Sequence, residues 1–157
     1  MAKVNYITGD ATNPQTNGNR IIVHVCNDIG GWGKGFVMAI SKRWKEPELK
    51  YRDWFKTKES FELGQVQFVK VENEIWVANL IGQHKINKDE NGNAPIRYDA
   101  ILSGLELVGQ FAIEENATVH MPRIGCGLAG GTWNEIEPLI EKTLKTNGIE
   151  TYVYDFN

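Results

Sequence analysis

The chain has 157 residues, of which 41% are apolar and 24% charged, and its formal net charge is −3. These values are typical of one globular domain, which we expect to span residues 1–157, and they disfavour a dedicated nucleic-acid binder. No run of about 18 apolar residues is present, so we expect neither a membrane span nor a membrane partner.

Strands and helices alternate along the first half of the chain. A strand at residues 4–7 runs into the turn Thr8-Gly9-Asp10. Residues 20–25 form a nearly continuous apolar run, which is typical of a strand covered on both faces. The remaining elements predicted here are helices at 35–44 and 47–55, then strands at 64–71 and 75–81 that form a hairpin.

The second half continues the alternation after a polar surface loop at residues 83–94. A long helix is predicted at 96–115 and a short strand at 118–121. Thr132 and Glu135 form a capping-box pattern at the start of a helix that reaches Lys145. A last strand is predicted at 149–156. Strands alternating with helices indicate an α/β fold with a mixed sheet.

Two glycine-rich loops follow predicted buried strands. The first is Gly30-Gly31-Trp32-Gly33-Lys34-Gly35, and the second extends from Pro122 to Gly131. Ligands of α/β proteins bind outside the carboxyl ends of strands, where glycines admit a close backbone approach and helix N-termini attract anions. The pair of loops therefore predicts a pyrophosphate held between them. The alternative is that the glycines only make tight turns.

Standard nucleotide motifs do not match these loops. The first loop lacks the third glycine of the dinucleotide fingerprint. It also has Gly35 where a P-loop needs a serine or threonine after its lysine. The sequence thus predicts a phosphate-binding site without ATPase or dehydrogenase chemistry, and no cofactor is expected.

Three segments together resemble the macrodomains, a family that binds ADP-ribose. They are Thr8-Gly9-Asp10-Ala11, His24-Val25-Cys26-Asn27 with the first loop, and residues 124–131. The resemblance covers nearly the whole chain and is strongest to the branch that removes phosphate from ADP-ribose 1″-phosphate. It implies a three-layer α/β/α fold whose mixed, largely parallel sheet has about six strands. The site is expected at the strand ends at Asn27 and Met121.

The resemblance also implies a set of ligand-binding residues. Asp10 would accept a hydrogen bond from the adenine amino group, and Asn27 would contact the distal ribose. Tyr154 and Phe156 would lie beside the adenosine half. The full implied set is Asp10, Ala11, Asn27, Gly31, Trp32, Gly33, Lys34, Gly35, Arg123, Gly125, Cys126, Gly127, Leu128, Ala129, Gly130, Tyr154 and Phe156.

His24 and Asn27 are the predicted catalytic residues. His24 would end a buried strand beside the first loop, as a general acid or base; the alternative is a structural histidine. Asn27 would fix the distal ribose. Trp32 fits packing under the loop and lining of the ribose pocket equally well.

The remaining histidines and cysteines are interpreted as structural. The spacing of His24, Cys26, His120 and Cys126 fits no usual zinc pattern, so no metal site is expected. His84 is interpreted as a loop residue. Two cysteines without a disulfide framework predict reduced thiols and a cytoplasmic protein.

Two classes of function stay open. The first is an enzyme, with phosphate release from ADP-ribose 1″-phosphate as the leading hypothesis and removal of ADP-ribose from a macromolecule as an alternative. The second is a reader that only binds ADP-ribose. His24-Val25-Cys26-Asn27 replaces the Asn-Ala-Ala-Asn of a large hydrolase group, and Ala129 stands where another group has an aspartate, which favours the reader. An ADP-ribosylated protein or nucleic acid is the alternative partner to the free nucleotide.

Overall fold

The computed structural model describes residues 4–156, which form one six-stranded sheet with helices on both faces. The strands are β1 (Val4–Thr8), β2 (Arg20–Asn27), β3 (Val66–Glu72), β4 (Ile75–Gln83), β5 (Thr118–Met121) and β6 (Thr151–Asp155). The helices are α1 (Phe36–Arg43), α2 (Glu46–Thr57), α3 (Tyr98–Glu115) and α4 (Trp133–Ile140), and a π-helical turn, Glu141–Lys145, continues α4.

The sheet has the order β1-β6-β5-β2-β4-β3, and only β3 runs antiparallel to its neighbour. The predicted mixed, largely parallel sheet of an α/β protein is therefore confirmed. No helix in residues 4–156 combines the length and apolar character that crossing a membrane requires.

The alternation of side chains along β2 divides the core into two layers. Ile21 and Val23 pack with α3 and α4 on one face, whereas Ile22 and Cys26 pack with α1 and α2 on the other. Successive strand residues point to opposite faces, and here both faces are covered. This is the three-layer arrangement that the resemblance implied.

The predicted start of the long helix and the predicted capping box are both wrong in detail. α3 begins at Tyr98, because the amide of Ile96 donates to the carbonyl of Ala129 (3.1 Å) in the second glycine loop. Thr132 does precede α4, but its side chain makes no capping hydrogen bond. Its amide instead donates to the Tyr98 hydroxyl at 3.2 Å.

The last helix also departs from a regular α-helix before its predicted end at Lys145. Pro138 lies inside α4 and has no N–H to donate. Thr143 lies in the π-helical turn, and its hydroxyl donates a hydrogen bond to the carbonyl of Leu139 at 2.7 Å. The regular α-helix therefore ends at Ile140.

Candidate functional site

The two glycine-rich loops leave the same edge of the sheet. β2 and β5 are parallel neighbours, so the first loop (residues 28–35) and the second loop (residues 122–131) both follow the carboxyl ends of their strands. A Cβ atom on Gly35 would lie 3.3 Å from Cδ1 of Leu128, so the loops approach each other closely. The predicted common edge is confirmed.

Asn27 holds the first loop in shape through its side chain. Its Oδ1 atom accepts hydrogen bonds from the amides of Ile29 (3.0 Å) and Gly31 (2.9 Å) and lies 3.0 Å from the Tyr51 hydroxyl. Its Nδ2 atom donates to the carbonyl of Gly31 at 3.1 Å. These contacts occupy the carboxamide oxygen and leave one N–H of the amide. The predicted contact with a ribose would have to use that N–H.

Helix α2 contacts the first loop and donates hydrogen bonds to the backbone there. The Tyr51 hydroxyl donates to the carbonyl of Asn27 (2.6 Å), and Arg52 donates to the carbonyl of Gly30 (3.2 Å). Gly30 has a φ of 78°, and a Cβ atom there would lie 2.5 Å from the Phe55 ring. Burial raises the pKa of Tyr51, so the hydroxyl stays protonated and remains a donor.

Trp32 is packed inside the first loop. It is 4% exposed, and its indole N–H donates to the Ser41 hydroxyl at 2.8 Å. That hydroxyl in turn donates to Glu48 at 3.2 Å. Of the two interpretations of Trp32, the structure therefore favours packing beneath the loop. Lys34, by contrast, is exposed on the loop surface.

His24 lies inside β2, in the core, and does not end the strand. It is 1% exposed, and its Nε2 lies 2.5 Å from Oδ1 of Asn79. The Asn79 amide nitrogen donates to the carbonyl of Pro47 and to Gln67, which fixes Oδ1 as the atom that faces His24. Nε2 therefore carries the proton, and Nδ1 has no hydrogen-bond partner among the described residues.

The surroundings of His24 are at odds with its predicted role in proton transfer. Burial lowers its pKa to about 4, against the opposing effect of the Asn79 hydrogen bond. The ring is therefore neutral at physiological pH, and it packs edge-on against Trp32 with a centroid distance of 5.2 Å. From this position it offers a ligand outside the loop neither a proton nor a lone pair.

The second loop is closed by its own backbone. The amide of Gly131 donates to the carbonyl of Gly125 (2.7 Å), and that of Gly130 to the carbonyl of Gly127 (3.0 Å). Gly125 and Gly130 both have positive φ. Ala129 is buried, and its carbonyl is held by Ile96. The loop therefore has a fixed shape before any ligand arrives.

Cys126 and Arg123 of the second loop are less available than the sequence suggested. Burial raises the pKa of Cys126, so its sulfur is a thiol and not a nucleophilic thiolate. Arg123 donates to both carboxylate oxygens of Asp155, at 2.6 and 3.0 Å. Its guanidinium also packs against the rings of Tyr6 and Trp133. The Cys126 thiol contacts the carbonyl of Ile124 at 3.5 Å, so both side chains already have partners within the protein.

Asp10 follows β1 and is half-exposed at the same edge of the sheet. Its Oδ1 atom accepts hydrogen bonds from the amide (2.8 Å) and the hydroxyl (2.7 Å) of Thr12. Its Oδ2 atom lies 3.9 Å from the Arg43 guanidinium, too far for a hydrogen bond. One carboxylate oxygen therefore remains available, next to the buried Ala11.

The two aromatic residues of the last strand have different environments. Tyr154 is 3% exposed and Phe156 is 79% exposed. The Tyr154 hydroxyl accepts a hydrogen bond from the amide of Gln15 (2.9 Å) and is hydrogen-bonded to Nδ1 of His120 (2.8 Å). Tyr154 thus supports the loop that carries Asp10, and Phe156 is the aromatic ring open to a ligand.

Sequence reasoning missed a histidine–carboxylate pair at the start of the first loop. Nδ1 of His84 lies 2.6 Å from Oδ2 of Asp28, and Oδ1 of Asp28 accepts a hydrogen bond from the amide of Lys85 at 2.7 Å. Asp28 and His84 directly follow β2 and β4, which pair so that Asn27 lies opposite Gln83. Only the adjacency of these two strands, which the local pattern does not contain, would have indicated the pair.

Comparison with solved structures gives close matches over the whole chain. A structure from Bacteroides thetaiotaomicron, described as a protein of unknown function, is 57% identical with a TM-score of 0.97 over 98% of both chains. A macrodomain protein from Streptomyces coelicolor is 50% identical with a TM-score of 0.88 over 99% of this chain and 100% of that one.

Comparison with curated proteins gives more distant relatives, and no family model matches the chain. The mouse chromodomain-helicase-DNA-binding protein 1-like is 34% identical over 98% of this chain, which spans only 18% of that protein. The ADP-ribose 1″-phosphate phosphatase of Meyerozyma guilliermondii is 27% identical over 90% of this chain and 94% of its own length. Because the Streptomyces macrodomain protein shares half of its residues with this chain over its full length, the protein belongs to the macrodomain family.

Proposed function

We propose that the protein binds ADP-ribose across the sheet edge, with the pyrophosphate between the first and second loops. The observation that carries this proposal concerns Gly33 and Gly127, one in each loop. Neither has a positive φ, and a Cβ atom on either would meet no atom within 4 Å. Neither backbone conformation nor packing therefore requires glycine there. A ligand that approaches the backbone closely would require it.

The charge distribution of the first loop suits an anion. α1 begins at Phe36, directly after the loop, and no side chain caps its N-terminus. The Met38 amide donates to the carbonyl of Gly35 (3.0 Å), but the amides of Phe36 and Val37 make no hydrogen bond within the described residues and leave a partial positive charge at the loop. The exposed Lys34 adds a full positive charge. Both features favour a phosphate over a neutral ligand.

The ends of the ligand are assigned from the family resemblance and from exposure. Asp10 and Phe156 lie after β1 and β6, where the free carboxylate oxygen would accept the adenine amino group and the exposed ring would stack on the base. The distal ribose would then extend past the second loop towards Asn27. Titration calorimetry with ADP-ribose, AMP, ATP and NAD tests this, and equal affinity for ADP-ribose and AMP would show that the distal ribose is not recognised.

Replacing Gly33 or Gly127 by alanine is expected to weaken ADP-ribose binding without weakening the fold. The added methyl group would meet only ligand, and a steric conflict of about 1–3 kcal/mol corresponds to a loss of roughly 5- to 150-fold in affinity. Calorimetry measures the affinity, and thermal unfolding provides the control. Wild-type affinity in both variants would show that ADP-ribose does not bind between the two loops.

Asp10→Asn is expected to reduce ADP-ribose affinity by about 1–3 kcal/mol, the range for losing a charged hydrogen bond. The asparagine can keep the acceptor that holds Thr12 and turns its NH₂ group towards the adenine amino group. Asp10→Ala removes both functions and should also loosen the turn. Affinity for ribose 5-phosphate derivatives that lack adenine should not change in Asp10→Asn; a matching loss there would place the adenine elsewhere.

A second candidate function is hydrolysis of ADP-ribose 1″-phosphate without a metal. It is favoured by the yeast phosphatase relative, which matches over nearly its whole length. Release of inorganic phosphate by the wild-type protein, with and without chelator, tests it. If ADP-ribose binds and no phosphate is released, the protein is a reader or acts on ADP-ribose attached to a protein or nucleic acid, and ADP-ribosylated substrates separate those two outcomes.

A further inference from the structure

We propose that the Asp28–His84 pair is the proton-transfer centre for hydrolysis of ADP-ribose 1″-phosphate. His84 is the general base, and Asp28 is its positioning residue. The assignment rests on the proposed function, because it needs ADP-ribose 1″-phosphate in the site. It replaces the role predicted for His24, whose ring is sealed in the core.

The geometry of the pair is that of an oriented base. The proton-bearing Nδ1 of His84 donates to one carboxylate oxygen of Asp28 at 2.6 Å, and the amide of Lys85 donates to the other. With Nδ1 protonated, the lone pair of the neutral ring is on Nε2. Nε2 makes no hydrogen bond within residues 4–156, and the His84 side chain is 42% exposed while Asp28 is 16% exposed. The His84 imidazole is therefore held in one orientation while its Nε2 atom stays accessible to solvent.

The backbone around His84 is also fixed. The His84 amide donates to the carbonyl of Pro95 at 2.8 Å, and Lys85 has a φ of 60°, a left-handed conformation that its hydrogen bond to Asp28 supports. Such a conformation is costly for a residue with a side chain and persists only where its surroundings enforce it. The turn thus holds the imidazole next to the end of β2.

The order of the strands places the pair at the distal end of the ligand. Adenine is assigned to the ends of β1 and β6, and the pyrophosphate to the loops after β5 and β2. The next strand in the same direction is β4, which His84 follows. At about 4.8 Å between strands, β6 and β4 are roughly 14 Å apart. Ile86 also reaches the first loop, because its Cδ1 would lie 3.3 Å from a Cβ on Gly31.

The proposed step needs water and no other reactant. Water attacks the phosphorus of the 1″-phosphate, and Nε2 of His84 accepts its proton as the new O–P bond forms. The bond between phosphorus and the 1″ oxygen breaks, and its electron pair stays on that oxygen. The imidazolium, stabilised by the Asp28 carboxylate, releases its proton to solvent, and a solvent water protonates the 1″ oxygen on the opposite side of the phosphorus, which gives ADP-ribose and inorganic phosphate.

The test compares His84→Gln, Asp28→Asn and the control Lys88→Gln, an exposed residue of the same loop. Glutamine can still donate to Asp28, so the turn is retained. We expect His84→Gln to lower kcat by about 10²–10⁴-fold with unchanged ADP-ribose affinity, and Asp28→Asn to lower kcat with little change in KM. Lys88→Gln should behave as wild type.

Chemical rescue separates proton transfer from a structural role. Imidazole added to His84→Ala should restore phosphate release, because the site of the missing ring is open to solvent, whereas a structural defect would not respond. Undiminished turnover in His84→Gln would overturn the assignment, as would a wild-type protein that binds ADP-ribose but releases no phosphate. Failure to bind ADP-ribose at all would instead refute the proposed function itself.

Discussion

Lowering the pH from 7.5 to 5 is expected to remove about 4 kcal/mol from the free energy of unfolding, through His24 and His120. Burial lowers the pKa of His24 to about 4 and that of His120 to about 3. In the unfolded chain both titrate near 6.5. Below pH 6.5 the unfolded chain therefore binds protons that the folded protein excludes.

The sign and window of this effect follow from the depressed pKa values. The stabilisation is complete above pH 6.5 and is lost by about 1.4 kcal/mol per pH unit for each histidine as the pH falls, until the folded pKa is reached. Urea unfolding at pH 7.5, 6 and 5 measures it. His120→Gln should halve the slope, and unchanged stability between pH 7.5 and 5 would mean that these rings are protonated in the folded protein.

Gly131→Ala is expected to destabilise the protein by about 2–3 kcal/mol, the cost of overpacking a closed site. A Cβ atom there would lie 2.6 Å from the carbonyl oxygen of Gly125, to which the Gly131 amide donates, and 2.7 Å from Cδ1 of Ile96. The backbone oxygen cannot move away without breaking that hydrogen bond.

Gly127→Ala is the matched control for Gly131→Ala. It adds the same methyl group to the same loop, but in open space. Urea unfolding at pH 7.5 should therefore separate the two variants. Equal stability would show that the second loop can open by several tenths of an ångström at little cost.

The order of the elements and the positions of both loops could be predicted because their signals are local. The apolar run before Asn27 and the glycines after it are contiguous in the sequence. The start of α3 could not be predicted, because Ile96 is drawn away from the helix by the second loop.

The candidate site was harder to predict because its histidines depend on distant partners. The alternation of β2 places His24 on the same face as Ile22 and Cys26. Its hydrogen-bond partner, Asn79, belongs to another strand and could not be identified from that alternation. Asp28 and His84 are separated by 56 positions, and only the pairing of β2 with β4 brings them together. Local patterns carry no information on such pairing.

The hydrogen bonds that Asn27 makes to its own loop bear on how a ligand would associate. Because Ile29, Gly31 and Tyr51 already surround the carboxamide oxygen, residues 27–31 have little conformational freedom to lose on complex formation. Association would then resemble the docking of two rigid bodies, limited by diffusion and orientation and not by a slow rearrangement. Free and bound forms of the loop backbone would superpose to within about 1 Å. Differences in affinity between nucleotides would consequently come from their dissociation rates and not from their association rates.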